Sequence, residues 1–227
     1  MYEGERITNL PEADSIEEGY YLLMESPTLG WRKIAVENFI PPEPDYLYKW
    51  DFTKSLTDEI QGVTAVLNGG ATRDENGLHI QGGAQYCQFL FEDIATTNKS
   101  YTFEMDCGEF VRKLNNSQYT IATYNKNNGM YAFEYSGGNG WGYWNGSSWV
   151  FDKTWAAYNN SNIFDNKKIS FIFENSTITV KVDNTVVQNF SDTKINKIFR
   201  FIGNNSNDKS YYNMTIKSIK IYENEEV

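Results

Sequence analysis

The densest chemistry in this 227-residue chain lies in Gly137-Gly138-Asn139-Gly140-Trp141-Gly142-Tyr143-Trp144-Asn145-Gly146-Ser147-Ser148-Trp149, extended by Trp155 and Tyr158. Aromatic faces can cover the apolar C–H face of a pyranose, and nearby Asn and Ser can hydrogen-bond its hydroxyls. Trp141, Tyr143, Trp144, Asn145, Trp149 and Trp155 are therefore candidate glycan-contacting residues. Alternation along a strand puts Trp141 and Tyr143 on one face and Trp144 on the other, so some of these rings must pack inward instead.

A second group is Glu104-Met105-Asp106-Cys107-Gly108-Glu109. Alternation places Glu104 and Asp106 on one face, and a bulge near Gly108 brings Glu109 to it. The group looks like the E-x-D-x-x-E signature of laminarinase-type jelly-roll glycoside hydrolases. That resemblance implies Glu104 as nucleophile, Asp106 as modulating acid and Glu109 as general acid/base. Met105 and Cys107 stand where that family has aliphatic residues, and Tyr86 to Phe91 lacks its substrate-facing Trp. The expectation is accordingly a protein that is not an enzyme, with the hydrolase as the alternative.

Other chemistries find less support. His79 is the single histidine, so neither a triad nor a zinc site has the partners it needs at ligand spacing. Asp74, Glu75, Asn76, Asp165 and Asn166 offer oxygen ligands for calcium, but without the spacing of an EF-hand loop they read as turn residues. No cofactor is expected. Cys87 and Cys107 read as buried small hydrophobes and not as a bridge. Thirty acidic against twenty basic residues leave no basic stripe for phosphates, which argues against nucleic acid. No apolar run reaches the length of a membrane span, and Met1-Tyr2-Glu3-Gly4-Glu5 shows no secretory signal.

The elements that position these residues divide at Pro41-Pro42-Glu43-Pro44. Residues 1–40 are too few to bury a core without disulfide, metal or partner, so they are expected to dock onto another surface. Within them Tyr20 to Glu25 and Trp31 to Val36 read as a small β-hairpin. Residues 41–46 form a proline-rich linker that holds the two parts apart. Residues 47–227 read as short β-branched and aromatic runs between Gly and Asn clusters: an all-β, two-sheet antiparallel sandwich.

The predicted strands are Leu47 to Phe52, Val63 to Leu67, Leu78 to Gln81, Tyr86 to Phe91, Ser100 to Met105, Tyr119 to Thr123 and Met130 to Tyr135. They continue with Trp141 to Trp144, Trp149 to Phe151, Lys168 to Glu174, Thr177 to Val182, Thr185 to Phe190, Lys197 to Ile202 and Met214 to Tyr222. Asn145-Gly146 has the residues of a type I′ turn, and Asn175-Ser176 and Asp183-Asn184 mark two more reversals.

Tyr48-Lys49-Trp50-Asp51-Phe52, Gly77-Leu78-His79-Ile80, Tyr101-Thr102-Phe103-Glu104-Met105-Asp106, Lys168 to Phe173, Thr179 to Val187 and Ile216 to Tyr222 together resemble the concanavalin A-like, laminin G-like jelly roll. Ile7-Thr8-Asn9-Leu10-Pro11, Gly19 to Glu25 and Arg32 to Phe39 are similar to the N-terminal attachment segments of tailed-phage fibre and appendage proteins. The second resemblance implies docking to a capsid or tail protein, a homo-oligomer (a trimer by analogy) and a place on the virion surface after synthesis in the host cytoplasm. Leu10, Tyr20, Leu22, Trp31, Ile34 and Phe39 are the expected docking residues. The distal jelly roll then faces surface glycans or serves as decoration alone.

Overall fold

The computed structural model describes residues 21–26, 30–35, 43–82, 84–112, 118–124, 132–136, 140–145, 147–150, 164–203 and 212–225. The chain divides into two compact units, Met1–Glu43 and Pro44–Val227. In the first, β1 (Tyr21–Ser26) and β2 (Gly30–Ala35) form an antiparallel hairpin from Tyr21↔Ala35 to Ser26↔Gly30. Leu10, Tyr20 and Phe39 lie outside the described residues; Leu22, Trp31 and Ile34 sit in the two strands.

The second unit is the expected jelly-roll sandwich. Its strands are β3 (Tyr46–Asp51), β4 (Ala65–Asn68), β5 (Thr72–Asp74), β6 (Gly77–Ile80), β7 (Tyr86–Phe89), β8 (Tyr101–Arg112), β9 (Gln118–Thr123) and β10 (Ala132–Ser136). They continue with β11 (Gly140–Trp144), β12 (Trp149–Val150), β13 (Lys168–Glu174), β14 (Thr177–Val182), β15 (Thr185–Ser191), β16 (Phe201–Gly203) and β17 (Tyr212–Glu223). One sheet runs β12-β11-β10-β9-β16-β7-β4, the other β15-β14-β13-β8-β17-β6-β5 with β3 also on β17. Among the described residues no helix is long and apolar enough to cross a membrane.

Alternation explains the core. Phe103, Met105 and Cys107 of β8, Ile169, Phe171 and Phe173 of β13, and Ile219 and Ile221 of β17 are all buried, while Glu104, Asp106, Ile172 and Lys220 between them are only partly buried. The opposite sheet contributes Cys87, Phe89, Ala122, Tyr143 and Ile202. Phe103 lies at the centre, with ring contacts to Phe89, Phe171 and Phe199 at centroid separations of 6.3, 6.5 and 6.1 Å. Cys87 and Cys107 are both free and buried, and burial pushes both thiols above their ordinary range.

The centre of the second sheet is the antiparallel pair β8–β17, and it is irregular. Phe110 faces Met214 and Cys107 faces Ile216, so Gly108 and Glu109 together oppose Thr215. Asp106 then faces Ser218, which leaves Lys217 as an extra residue in β17. The first bulge reverses the parity of β8, so that Glu109 is exposed and Phe110 buried. Beyond the bulges, the far edge of β17 is shared by β6, paired from Met214 to Ile216, and β3, paired from Ser218 to Tyr222.

Local chemistry sets the reversals. Asn175 and Ser176 (φ 45° and 64°) and Asp183 and Asn184 (φ 46° and 68°) take the paired left-handed conformations of type I′ turns, as their sequences predict. The Asn145-Gly146 expectation needs correction: Trp144 pairs with Trp149, and the Asn145 N–H donates to the Ser148 carbonyl at 3.1 Å. The hairpin is therefore centred one residue later, and Asn145 acts through its side chain.

Strand bounds shift by one or two residues at several ends, such as Ala65–Asn68 for Val63 to Leu67 and Tyr86–Phe89 for Tyr86 to Phe91, and four departures are larger or have a clear cause. β8 extends to Arg112 because its bulge lets pairing continue past Gly108. β3 starts at Tyr46, inside the expected linker, because Tyr46 pairs with Tyr222. β5 escaped notice because Thr-Arg-Asp shows no apolar alternation at a sheet edge. Lys197 to Ile202 yields only Phe201–Gly203, the residues that pair with β7 and β9.

Phe103→Ala should lower unfolding free energy by about 3–5 kcal/mol in a denaturant titration. Val186→Ala, at a residue 51% exposed, should stay within about 0.5 kcal/mol.

Candidate functional site

Two of the rings singled out by sequence, Tyr143 and Trp144, differ in burial. Tyr143 is 0% exposed and packs near Phe190, with centroids 6.0 Å apart, so it belongs to the core and cannot stack on a sugar. Trp144, on the other side of β11, is half-buried. Trp141 and Trp149 lie in β11 and β12, and Trp155 lies outside the described residues.

Asn145 is also committed internally. Its Oδ1 accepts from the N–H groups of Ser147 (3.0 Å) and Ser148 (2.8 Å), and its Nδ2 donates to Asp192 Oδ2 (2.6 Å). This side chain fastens the β11–β12 turn to the loop after β15 and is not free for a ligand hydroxyl.

The carboxylates behave differently. Glu104 and Asp106 lie on the outer face of β8, and the bulge adds Glu109 to that face, as expected. Glu104 sits between Lys168 Nζ (3.4 Å) and Lys220 Nζ (4.0 Å). Glu109 instead opens into a depression of about 440 Å³ that neither Glu104 nor Asp106 lines. The structure thus groups Glu109 with His79, Thr215 and Lys217 rather than with the other two acids.

Each wall of this depression has a cause in the sequence. Asp74 pairs with Gly77, so Glu75 and Asn76 form a two-residue turn facing the cavity. Gly77 makes that turn possible: its φ is +128°, and a Cβ would meet the Ile216 carbonyl oxygen at 2.4 Å. Asp74 Oδ1 accepts from Asn76 N–H (2.7 Å) and lies 2.7 Å from His79 Nε2. The His79 hydrogen bond, then that of Asn76, holds the Asp74 carboxyl below its usual range.

Across the cavity, Asn166 (φ 52°) donates its N–H to the Gly108 carbonyl at 2.8 Å. Asp165 Oδ1 accepts from Phe110 N–H at 2.9 Å. Of the oxygen-bearing residues considered for calcium, Asp74 and Asp165 therefore serve as turn fasteners. Among the described residues no group of three or more His, Cys, Asp or Glu is arranged to hold a metal ion.

His79, Thr215, Lys217 and Thr53 come from separated parts of the chain, so nothing local in the sequence marks them as walls of one cavity. Only the β6–β17 register, with Thr215 opposite His79, brings two of them together.

A second polar cluster joins the loops beside β7, β9 and β16. Asp93 takes Lys197 Nζ and the Tyr124 hydroxyl (2.7 Å) on Oδ2, and Arg200 Nη1 (2.9 Å) on Oδ1. Arg200 also lies over the Phe91 ring, 5.6 Å from its centroid. The cluster ties sequence-distant loops together.

The sequence matches no protein-family model and no curated protein. The fold does have solved counterparts. The botulinum neurotoxin serotype D binding domain is similar with a TM-score of 0.54 at 11% identity, over 80% of this chain and 49% of that one. A botulinum neurotoxin type C structure, reported for cell entry dependent on two ganglioside molecules, gives 0.55 at 13% identity, over 79% and 47%. Trypanosoma rangeli sialidase gives 0.52 at 14% identity, over 77% and 30%. This chain thus spans about half the matched toxin chains and under a third of the sialidase. At such identities the likeness is one of fold, a two-sheet β-sandwich.

Lys197 first, then Tyr124 and Arg200, hold the Asp93 carboxyl at about 2, below the usual carboxylate value of about 3.9. A depressed native pKa contributes stability that is fully present above the unfolded value and disappears as pH falls through the native one. Asp93→Asn should therefore flatten the loss of stability between about pH 4 and pH 2, measured as the urea midpoint against pH.

Proposed function

We propose that this chain is a virion appendage protein. Residues 1–40 dock it to a capsid or tail protein, and the sandwich is displayed as a lectin-like domain for surface glycans. The observation that carries the glycan half is the depression beside the β8 bulge, walled by amide, hydroxyl, carboxylate and amine groups on the outside of the sandwich. Polar groups of this kind, converging on a concave site, fix the orientation of a hydroxyl-rich ligand. The fold neighbours add support: one toxin structure is reported for cell entry dependent on interaction with two ganglioside molecules, another binding domain in complex with SialylT, and Trypanosoma rangeli sialidase in complex with 2,3-difluorosialic acid.

The docking half rests on the likeness of residues 7–39 to phage attachment segments and on the division of the chain at Glu43 and Pro44. A short unit that cannot bury much apolar area gains stability from a partner surface. A homo-oligomer, with three copies by analogy to fibres, would provide further cover.

The sandwich functions here as a binding domain and not as a glycosidase. Glu104 is engaged by two ammonium groups and lines a different part of the face from the Glu109 depression.

On a glycan array the full-length chain should bind a restricted set of glycans, and deleting residues 1–40 should leave that set unchanged while abolishing incorporation into particles. An array without signal contradicts the lectin reading; particle incorporation of the deletion variant contradicts the docking reading.

A further inference from the structure

We infer that the depression beside the β8 bulge takes a neutral sugar ring with adjacent hydroxyls and turns away carboxylated sugars such as sialic acid. The inference rests on the glycan reading above and gives it a site and a ligand class. It departs from the ligands reported for the fold neighbours.

Size comes first. A cavity of about 440 Å³ lies within the range of about 300–1,000 Å³ usual for small-molecule sites. Charge comes next. Glu75 and Glu109 line the cavity together with Lys217, two carboxylates to one ammonium. Each carboxylate accepts two hydroxyl hydrogens, which suits a vicinal diol, whereas a ligand carboxylate would meet two like charges. The single ammonium of Lys217 does not reverse that balance.

The third observation is a hydrogen-bonded row, Asp74–His79–Thr215, that holds Thr215 in place. Asp74 is an acceptor, so His79 donates to it through Nε2, 2.7 Å from Asp74 Oδ1. The other ring nitrogen, Nδ1, lies 3.2 Å from the Thr215 hydroxyl oxygen. The Thr215 hydroxyl is thereby held at the cavity wall. Thr215, Glu75 and Glu109 thus offer acceptors, while Lys217 and the amides of Asn76 and Asn166 offer donors. That mixture matches hydroxyls, which both donate and accept.

Fourth, the site is fixed before any ligand arrives. The Asp74–Asn76 and Gly108–Asn166 bonds already hold two opposite walls, which reduces the entropy lost on binding. Gly108 leaves the floor open, because a Cβ there would touch Thr215 and the Lys217 stem at 3.4 and 3.5 Å.

Isothermal titration of the full chain with lactose, cellobiose, maltose and 3′-sialyllactose tests this directly. At least one neutral disaccharide should bind at least about tenfold more tightly than 3′-sialyllactose. Glu109→Gln and Thr215→Val should each weaken that binding by about tenfold or more with unchanged thermal midpoint, while Trp144→Ala leaves it intact. Tighter binding of sialyllactose overturns the ligand class. If a neutral sugar binds, both cavity variants bind as wild type and Trp144→Ala abolishes binding, the site is the β11–β12 hairpin and only this inference fails. Absence of binding to these probes and to every array glycan overturns the glycan reading as well.

Discussion

The β8–β17 pairing carries the sandwich, and its two neighbouring bulges are the constraint from which the other features follow. Gly108 and Glu109 sharing one partner shift β8 by one residue, and Lys217 shifts β17 close by. Without the first shift Glu109 would have the parity of Cys107 and point into the core. With it, an exposed carboxylate is placed on the outer face, and Phe110 fills the interior beside Phe164, 5.4 Å between centroids. The same pair supports β13 on one side and β6 and β3 on the other, so the bulge geometry fixes both the core register and the cavity walls.

Electrostatics complete the picture. The chain carries a formal net charge of −10, yet many described carboxylates are matched locally, as Glu104 is by Lys168 and Lys220 and Asp93 by Lys197 and Arg200. Exposed pairs of this kind add little stability singly, and their main effect is to decide which acids remain free to meet a ligand. Low sequence identity to the fold neighbours follows from the same physics: alternation and turn chemistry admit many sequences, and the site is grafted onto the result.

Much of the fold was legible because the signals were local. Lys168–Glu174 and Thr177–Val182 alternate cleanly, and Asn175-Ser176 and Asp183-Asn184 have the side chains that tolerate left-handed backbone. The bulge near Gly108 was readable from the residue types too. What sequence alone could not show was non-local. Tyr143 reads as an exposed ring among glycines until the opposite sheet is seen to cover it, and His79 reads as solitary until the β6 register sets it between Asp74 and Thr215.

The central claim, that the bulge turns residue 109 outward while 107 and 110 face the core, is open to a thiol count on Glu109→Cys. Cys87 and Cys107 are buried with raised pKa values, so neither should react in the folded protein. The account predicts one fast-reacting thiol per native chain and three after denaturation. A native chain with no reactive thiol, and all three appearing only on unfolding, would place residue 109 inside an unbulged strand and contradict it.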